Sequence, residues 1–231
     1  MLAGLLAYVG IAYGLQLVLR LDDAVALSSP IALLMALIPA LLWLGYFYLQ
    51  DRHEPEPKHY VLGSFILGAF VAAPTAAFLV DLAMGQGAPT LHFSTLAVER
   101  WVAAIAIFGL AQEGAKYLVV RYSLYLSPEF DEPVDGIIYM SAAGIGFAVY
   151  ESYHYLQSGG AQIFLSTAAA QCVVTTLAHA SFAGVLGFAL GRAKFLPRPG
   201  HERSITIAAG LLSAAAPAAR IRGLRIVIFA D

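Results

Sequence analysis

Charge is scarce in this chain of 231 residues: Asp, Glu, Lys and Arg make up 12% of it, against about 25% in an ordinary soluble domain. That shortage excludes a conventional solvated surface. A single cysteine, Cys172, excludes an intrachain disulfide and any cysteine-rich metal centre. Basic residues are not in excess either. The net charge is -2, so there is no electrostatic footprint for nucleic acid. Function is left to carboxylates, histidines and amides. What fills the chain is apolar, with 60% hydrophobic residues and a mean hydropathy of +0.75. The segment 1–19 lacks the basic stretch of a signal peptide and is long enough to span, so a retained first helix is expected.

Several runs reach the roughly 20 apolar residues that a helix needs to cross about 30 Å of hydrocarbon. The expectation is an all-α, polytopic transmembrane helical bundle filling residues 1–231 as one integral membrane domain. Spans are predicted at about 2–19, 31–49, 60–82, 101–124, 135–157 and 162–191, with a weaker seventh at about 204–219 and an atypical tail at about 220–231. The charged, proline-interrupted stretch Asp51-Arg52-His53-Glu54-Pro55-Glu56-Pro57-Lys58 reads as an extended loop outside the hydrocarbon. The fifth and sixth spans are rich in Gly, Ala and Ser, which lets helix backbones approach closely in lipid and predicts that these two are central.

Lysines and arginines cluster in the loops after the second, fourth and sixth spans: Arg52, Lys58, Arg121, Arg192, Lys194, Arg198 and Arg203. By the positive-inside rule those loops and the N-terminus are cytoplasmic, giving a multi-pass protein of a prokaryotic-type cell membrane. Arg220, Arg222 and Arg225 break that rule if the seventh segment crosses.

Inside the fourth span stands Gln112-Glu113-Gly114-Ala115-Lys116. A charged side chain at mid-membrane costs roughly 2.5–3.5 kcal/mol on insertion scales, so a Glu and a Lys one turn apart mark a functional site by default. At about 100° per residue, Lys116 falls between Gln112 and Glu113 on one helix face. A buried ion pair that fixes register is the plain alternative. Gly114 suggests the close approach of another helix or of substrate backbone.

The fifth span adds Glu151, with His154 and Tyr155 at the next turn, where an interfacial carboxylate near the helix end is the plain alternative. Asp135 reads as a helix-start residue after Pro133. The sixth span adds His179, with Cys172, Thr175 and Thr176 one and two turns before it. Counting from the cytoplasmic ends places Glu113 roughly 12 Å deep, His179 roughly 20 Å and Glu151 roughly 25 Å, so Glu151 needs tilt or offset to join the others.

Two carboxylates, a histidine and an ammonium facing a bundle interior can activate water. A desolvated Glu suits general base and acid work, and His179 or Lys116 can stabilise an oxyanion. Alternatively Glu113, Glu151 and His179 can ligate a divalent metal such as zinc that activates the water. Either route ends in peptide hydrolysis or acyl transfer to water.

These motifs resemble those of the PrsW-type intramembrane proteases, distantly akin to the CAAX prenyl endopeptidases and the bacteriocin-immunity membrane proteases. The resemblance rests on Asp51 through Pro57, on Gln112-Glu113-Gly114-Ala115-Lys116 against the family's Glu-Glu-x-x-Lys, and on Phe130-Asp131-Glu132-Pro133-Val134-Asp135-Gly136. It continues with Phe147-Ala148-Val149-Tyr150-Glu151 against Phe-x-x-x-Glu, and with His179. It implies catalytic roles for position 112, Glu113, Lys116, Glu151 and His179, and substrate or oxyanion support from Phe147 and Thr175. It further implies a single-span membrane protein as substrate, as in family members that begin the cleavage of an anti-sigma factor.

Two departures stand out. Gln112 replaces the first Glu of the motif, and an amide cannot be a general base. The chain is then naturally inactive, works through Glu113 alone, or is an engineered Glu-to-Gln form that traps an intact enzyme, the last being favoured. The family's later His-Gly is also missing, His201 being the remaining histidine after His179. Two other function classes stay open: an ion- or proton-coupled transporter using Glu113, Lys116 and Glu151, and a catalytically disabled membrane sensor.

Overall fold

The computed structural model describes residues 1–19, 27–50, 56–84, 98–158 and 164–195, and the regular elements among them are all helical. They are α1 (Leu2–Val18), α2 (Ser29–Gln50), α3 (Lys58–Leu67), α4 (Ala73–Met84), α5 (Val98–Ser123), α6 (Asp135–Ser158) and α7 (Leu165–Phe195). Six of the predicted spans thus fall on helices to within a few residues. The 204–219 segment, the 220–231 tail, His201 and motif residues 51–55 lie outside the described residues.

Among the described residues, three stretches are both long and apolar enough to cross a membrane: Ser29–Leu49, Lys58–Ala83 and Leu165–Phe195. Their outward faces carry exposed side chains such as Leu34, Leu41, Phe70 and Phe78, a lipid-facing surface that water would not tolerate. This is an integral membrane protein. α1 is apolar but has 17 residues. α5 and α6 have the length, at 26 and 24 residues, but are diluted by the polar side chains of the site. The expected count of six to seven crossings therefore goes beyond what apolar length supports.

α3 and α4 form one rod joined by a π-helical turn, Gly68–Ala72. The cause lies just beyond it. Pro74 has no N–H to donate, and its ring crowds the carbonyl four residues back, so the helix widens for a turn instead of breaking.

The predicted centrality of the fifth and sixth spans is what the structure has: α6 touches α2, α3, α4, α5 and α7, and its partnership with α7 is the most extensive in the molecule. Glycines set that contact. A Cβ on Gly187 would strike the Gly136 backbone, one on Gly191 would strike Pro133, and one on Gly144 would strike the His179 carbonyl. α3 lies equally close, Gly146 facing the Phe65 carbonyl and Gly68 the Ala143 carbonyl. Without a hydrophobic drive between helices in lipid, this backbone proximity supplies the dispersion contact that holds them.

One end of the bundle is tied by polar contacts. Asp135 begins α6, as its position after Pro133 predicts, and accepts from the Glu132 N–H at 2.6 Å. Lys194 donates to the Tyr125 and Phe130 carbonyls at 2.7 and 2.5 Å, holding the α5–α6 loop to the end of α7. Glu56 is buried, not solvated as its loop position suggests, and accepts the Tyr139 hydroxyl.

Candidate active site

Three helices supply the site. On α5, Glu113 and Lys116 are one turn apart, and Lys116 Nζ donates to Glu113 Oε1 at 2.7 Å, the helical i,i+3 pair that the spacing predicts. From α7, His179 brings its Nδ1 to 2.8 Å from the same ammonium. The other ring nitrogen, Nε2, is 2.7 Å from Glu151 Oε2 on α6. Glu151 Oε1 in turn accepts from Gln112 Nε2 at 2.6 Å, which returns to α5. Glu113, Lys116, His179, Glu151 and Gln112 therefore form one continuous hydrogen-bonded chain.

Donor capacity orders the protons along it. A protonated lysine only donates, so His179 Nδ1 is the acceptor, Nε2 carries the ring proton, and that N–H is given to Glu151. A carboxylate only accepts, so Gln112 presents its amide nitrogen to Glu151. Both Glu151 oxygens thus receive N–H donors, one from His179 and one from Gln112.

The chain runs from sealed to open. Lys116, Glu113 and His179 are 0%, 1% and 2% exposed, whereas the Glu151 side chain keeps 33% of its surface. Phe147, itself buried, lies beneath the charged end, its ring 4.3 Å from Lys116 Nζ and 5.0 Å between centroids from the imidazole. Thr175, one turn before His179, accepts from Gln171 at 3.2 Å. His154 is exposed and its ring packs at a tilt against Tyr150, 4.2 Å between centroids.

Gln112 and Glu151 line a cleft of about 260 Å³ between α4, α5 and α6. Its other walls include Ala76, Ala77, Asp81 and Phe108. Sequence reasoning missed this wall; the signal available was the small-residue run Ala72-Ala73-Pro74-Thr75-Ala76-Ala77, where missing bulk opens space beside α5.

Three sequence expectations meet a different geometry. Gln112 does not share Lys116 with Glu113 but reaches across to α6. The depth mismatch of Glu113 and Glu151 is bridged by the lengths of an imidazole and an ammonium lying between them. Among the described residues, nothing beyond its own helix lies within 4 Å of where a Gly114 Cβ would be, so the close approaches found fall instead at Gly144 and Gly146.

Glu113, Glu151 and His179 do not converge on one point, because the two carboxylates sit at opposite edges of the imidazole with the ammonium on one side. Among the described residues no group of three His, Cys, Asp or Glu gathers at metal-binding range. The buried donor of this cluster left without a partner is one oxygen, Glu113 Oε2. The residues as arranged do not fit a divalent ion.

The profile described as PrsW family intramembrane metalloprotease matches residues 56–218, well over half of the chain and the part that holds all five residues. Protease PrsW of Geobacillus kaustophilus is 34% identical over 157 residues, covering 68% of this chain and 64% of that protein. Protease PrsW of Bacillus subtilis is 29% identical over 172 residues, covering 73% and 72%. This chain thus spans just under two thirds of the Geobacillus relative. No solved structure matches it. Taken with the buried chain from Glu113 to Gln112, the match means that this chain belongs to the PrsW family of intramembrane metalloproteases.

Proposed function

We propose that the chain is a multi-pass membrane endopeptidase that hydrolyses a peptide bond in or beside the membrane segment of a single-span protein, of the anti-sigma-factor type, with Glu151 activating the water. The observation that carries this is the burial gradient: a sealed charge chain ends at Glu151 and Gln112 on the wall of a cleft.

Glu151 takes a proton from water as the water oxygen bonds to the scissile carbonyl carbon. When the C–N bond breaks, the same proton passes from Glu151 to the leaving nitrogen. The second amide hydrogen of Gln112 supplies a donor to the carbonyl oxygen as negative charge grows there. His179 holds Glu151 in place, and the Lys116–Glu113 pair holds His179.

Gln112 limits this chemistry. A glutamate there would stand at hydrogen-bond range of Glu151, and two carboxyls sharing one proton provide a base and an acid together. An amide has no acidic proton to share and provides no such acid.

The test is cleavage of a single-span reporter by the purified full chain in liposomes. Gln112→Glu raises product formation, by roughly the 10²–10⁴-fold that a general acid–base group supplies, and in that background Glu151→Gln and His179→Ala remove it. Cleavage unchanged in all three would overturn the assignment, and reporter-independent ion flux abolished by Glu151→Gln would replace it with the transporter reading.

A further inference from the structure

The family description implies a metal, and the donor set does not fit one. We infer that the ammonium of Lys116 is the resident cation of this site and that, as folded, the site takes no divalent metal ion. The inference rests on reading the five-residue chain as the reaction centre.

A histidine ligates a metal through a ring-nitrogen lone pair. His179 has none to offer. The Nδ1 lone pair is turned to Lys116 Nζ at 2.8 Å, and Nε2 carries the proton given to Glu151 Oε2 at 2.7 Å. Glu113 Oε1 is committed to the same ammonium at 2.7 Å, which leaves Oε2 as a single oxygen with no imidazole lone pair beside it to complete a ligand set.

Displacing the lysine is also obstructed. Its side chain is fully buried, and an ammonium has three N–H groups: one goes to Glu113, one to His179, and the Phe147 ring lies 4.3 Å from the nitrogen. A metal would have to displace Lys116 from both its partners, which uncovers a carboxylate inside the bundle before any new bond is made. A buried positive charge beside a histidine does electrostatically what a metal would do: it fixes the tautomer and compensates a carboxylate.

The full chain, purified in detergent without a polyhistidine tag, is equilibrated with Co²⁺, desalted, and read for retained cobalt and visible absorption. The unmodified chain retains no more cobalt than His179→Ala. In parallel, ¹⁵N spectra of histidine-labelled protein, with His179 assigned by its loss in His179→Ala, show Nε2 protonated and Nδ1 bare. In Lys116→Met that preference weakens and Nδ1 protonation appears.

Stoichiometric cobalt that depends on His179 in the unmodified chain would overturn the inference, as would a protonated Nδ1. If Lys116→Met does not fold, the two readings on the unmodified chain still decide. Neither reading needs a substrate. If Gln112→Glu cleaves no reporter while the unmodified chain shows bare Nδ1 and keeps no cobalt, the protease proposal alone falls; an active Gln112→Glu form beside His179-bound cobalt sinks this inference alone.

Discussion

His179 Nδ1 lies 2.8 Å from Lys116 Nζ across 63 residues of sequence, and through that contact a lysine on α5 decides which nitrogen of an α7 imidazole faces the Glu151 carboxylate on α6. The proton order of the whole site follows from it. Residues that act through one another in this way lose function together, not in independent steps.

Lys116 and His179 should therefore be non-additive. In a Gln112→Glu background, Lys116→Met and His179→Ala each reduce reporter cleavage by roughly 10²-fold or more, and the double variant falls no further than the worse single one. Initial rates in liposomes for the four forms check this; a double variant at the product of the two losses would show that the residues act separately.

The cleft should be sensitive to bulk at its alanine wall. Ala76 is 1% exposed and lines the cleft opposite Gln112 and Glu151, so Ala76→Phe fills space that a substrate segment would use. Cleavage falls while the protein stays folded in detergent, with a loss of stability no larger than the roughly 1–3 kcal/mol of ordinary overpacking, and Ala76→Gly keeps activity. Equal losses in both variants would argue that the cleft is not the substrate path.

The α6–α7 crossing should tolerate no side chain at its glycines. Gly187→Leu drives a branched side chain into the Gly136 backbone and costs at least the roughly 1–3 kcal/mol of ordinary overpacking. Gly114→Leu, at a position where no described residue of another helix comes within 4 Å of a Cβ, costs little beyond local effects. Midpoints of thermal unfolding in the same detergent compare the two.

Lys194 should govern the order of the α5–α6 loop. Lys194→Met removes its donations to the Tyr125 and Phe130 carbonyls, each bond to a charged donor being worth about 1.5–3 kcal/mol. Hydrogen exchange over residues 124–132 then accelerates while exchange in α6 and α7 below Gly184 stays slow. Unchanged exchange in the loop would mean that its aromatic packing suffices to hold it.

Much of this was legible from residue order. Helix positions followed from apolar run lengths, because hydrocarbon leaves a chain no other way to satisfy its backbone. The cost of ionisable groups in a span singled out Glu113, Lys116, Glu151 and His179, and the Glu113–Lys116 bond is local enough to follow from helical spacing alone. Small-residue composition pointed to α6 and α7 as the central pair.

The partners across helices were not legible. Gln112 looked like a missing glutamate and turned out to hold Glu151, because its side chain crosses to α6 while the residue beside it turns to Lys116. Likewise Glu56, in a loop rich in charge and proline, is buried against Tyr139.

By itself, then, the sequence determined that this is a helical membrane protein and which side chains were too costly to be there without a purpose, since both depend on local composition against a fixed solvent. The tertiary structure alone decided the order of the chain Glu113, Lys116, His179, Glu151, Gln112 and the cleft at its open end. That order depends on helix rotation and offset, which are set by the backbone contacts at Gly136, Gly144 and Gly187, and no spacing within a single helix contains them.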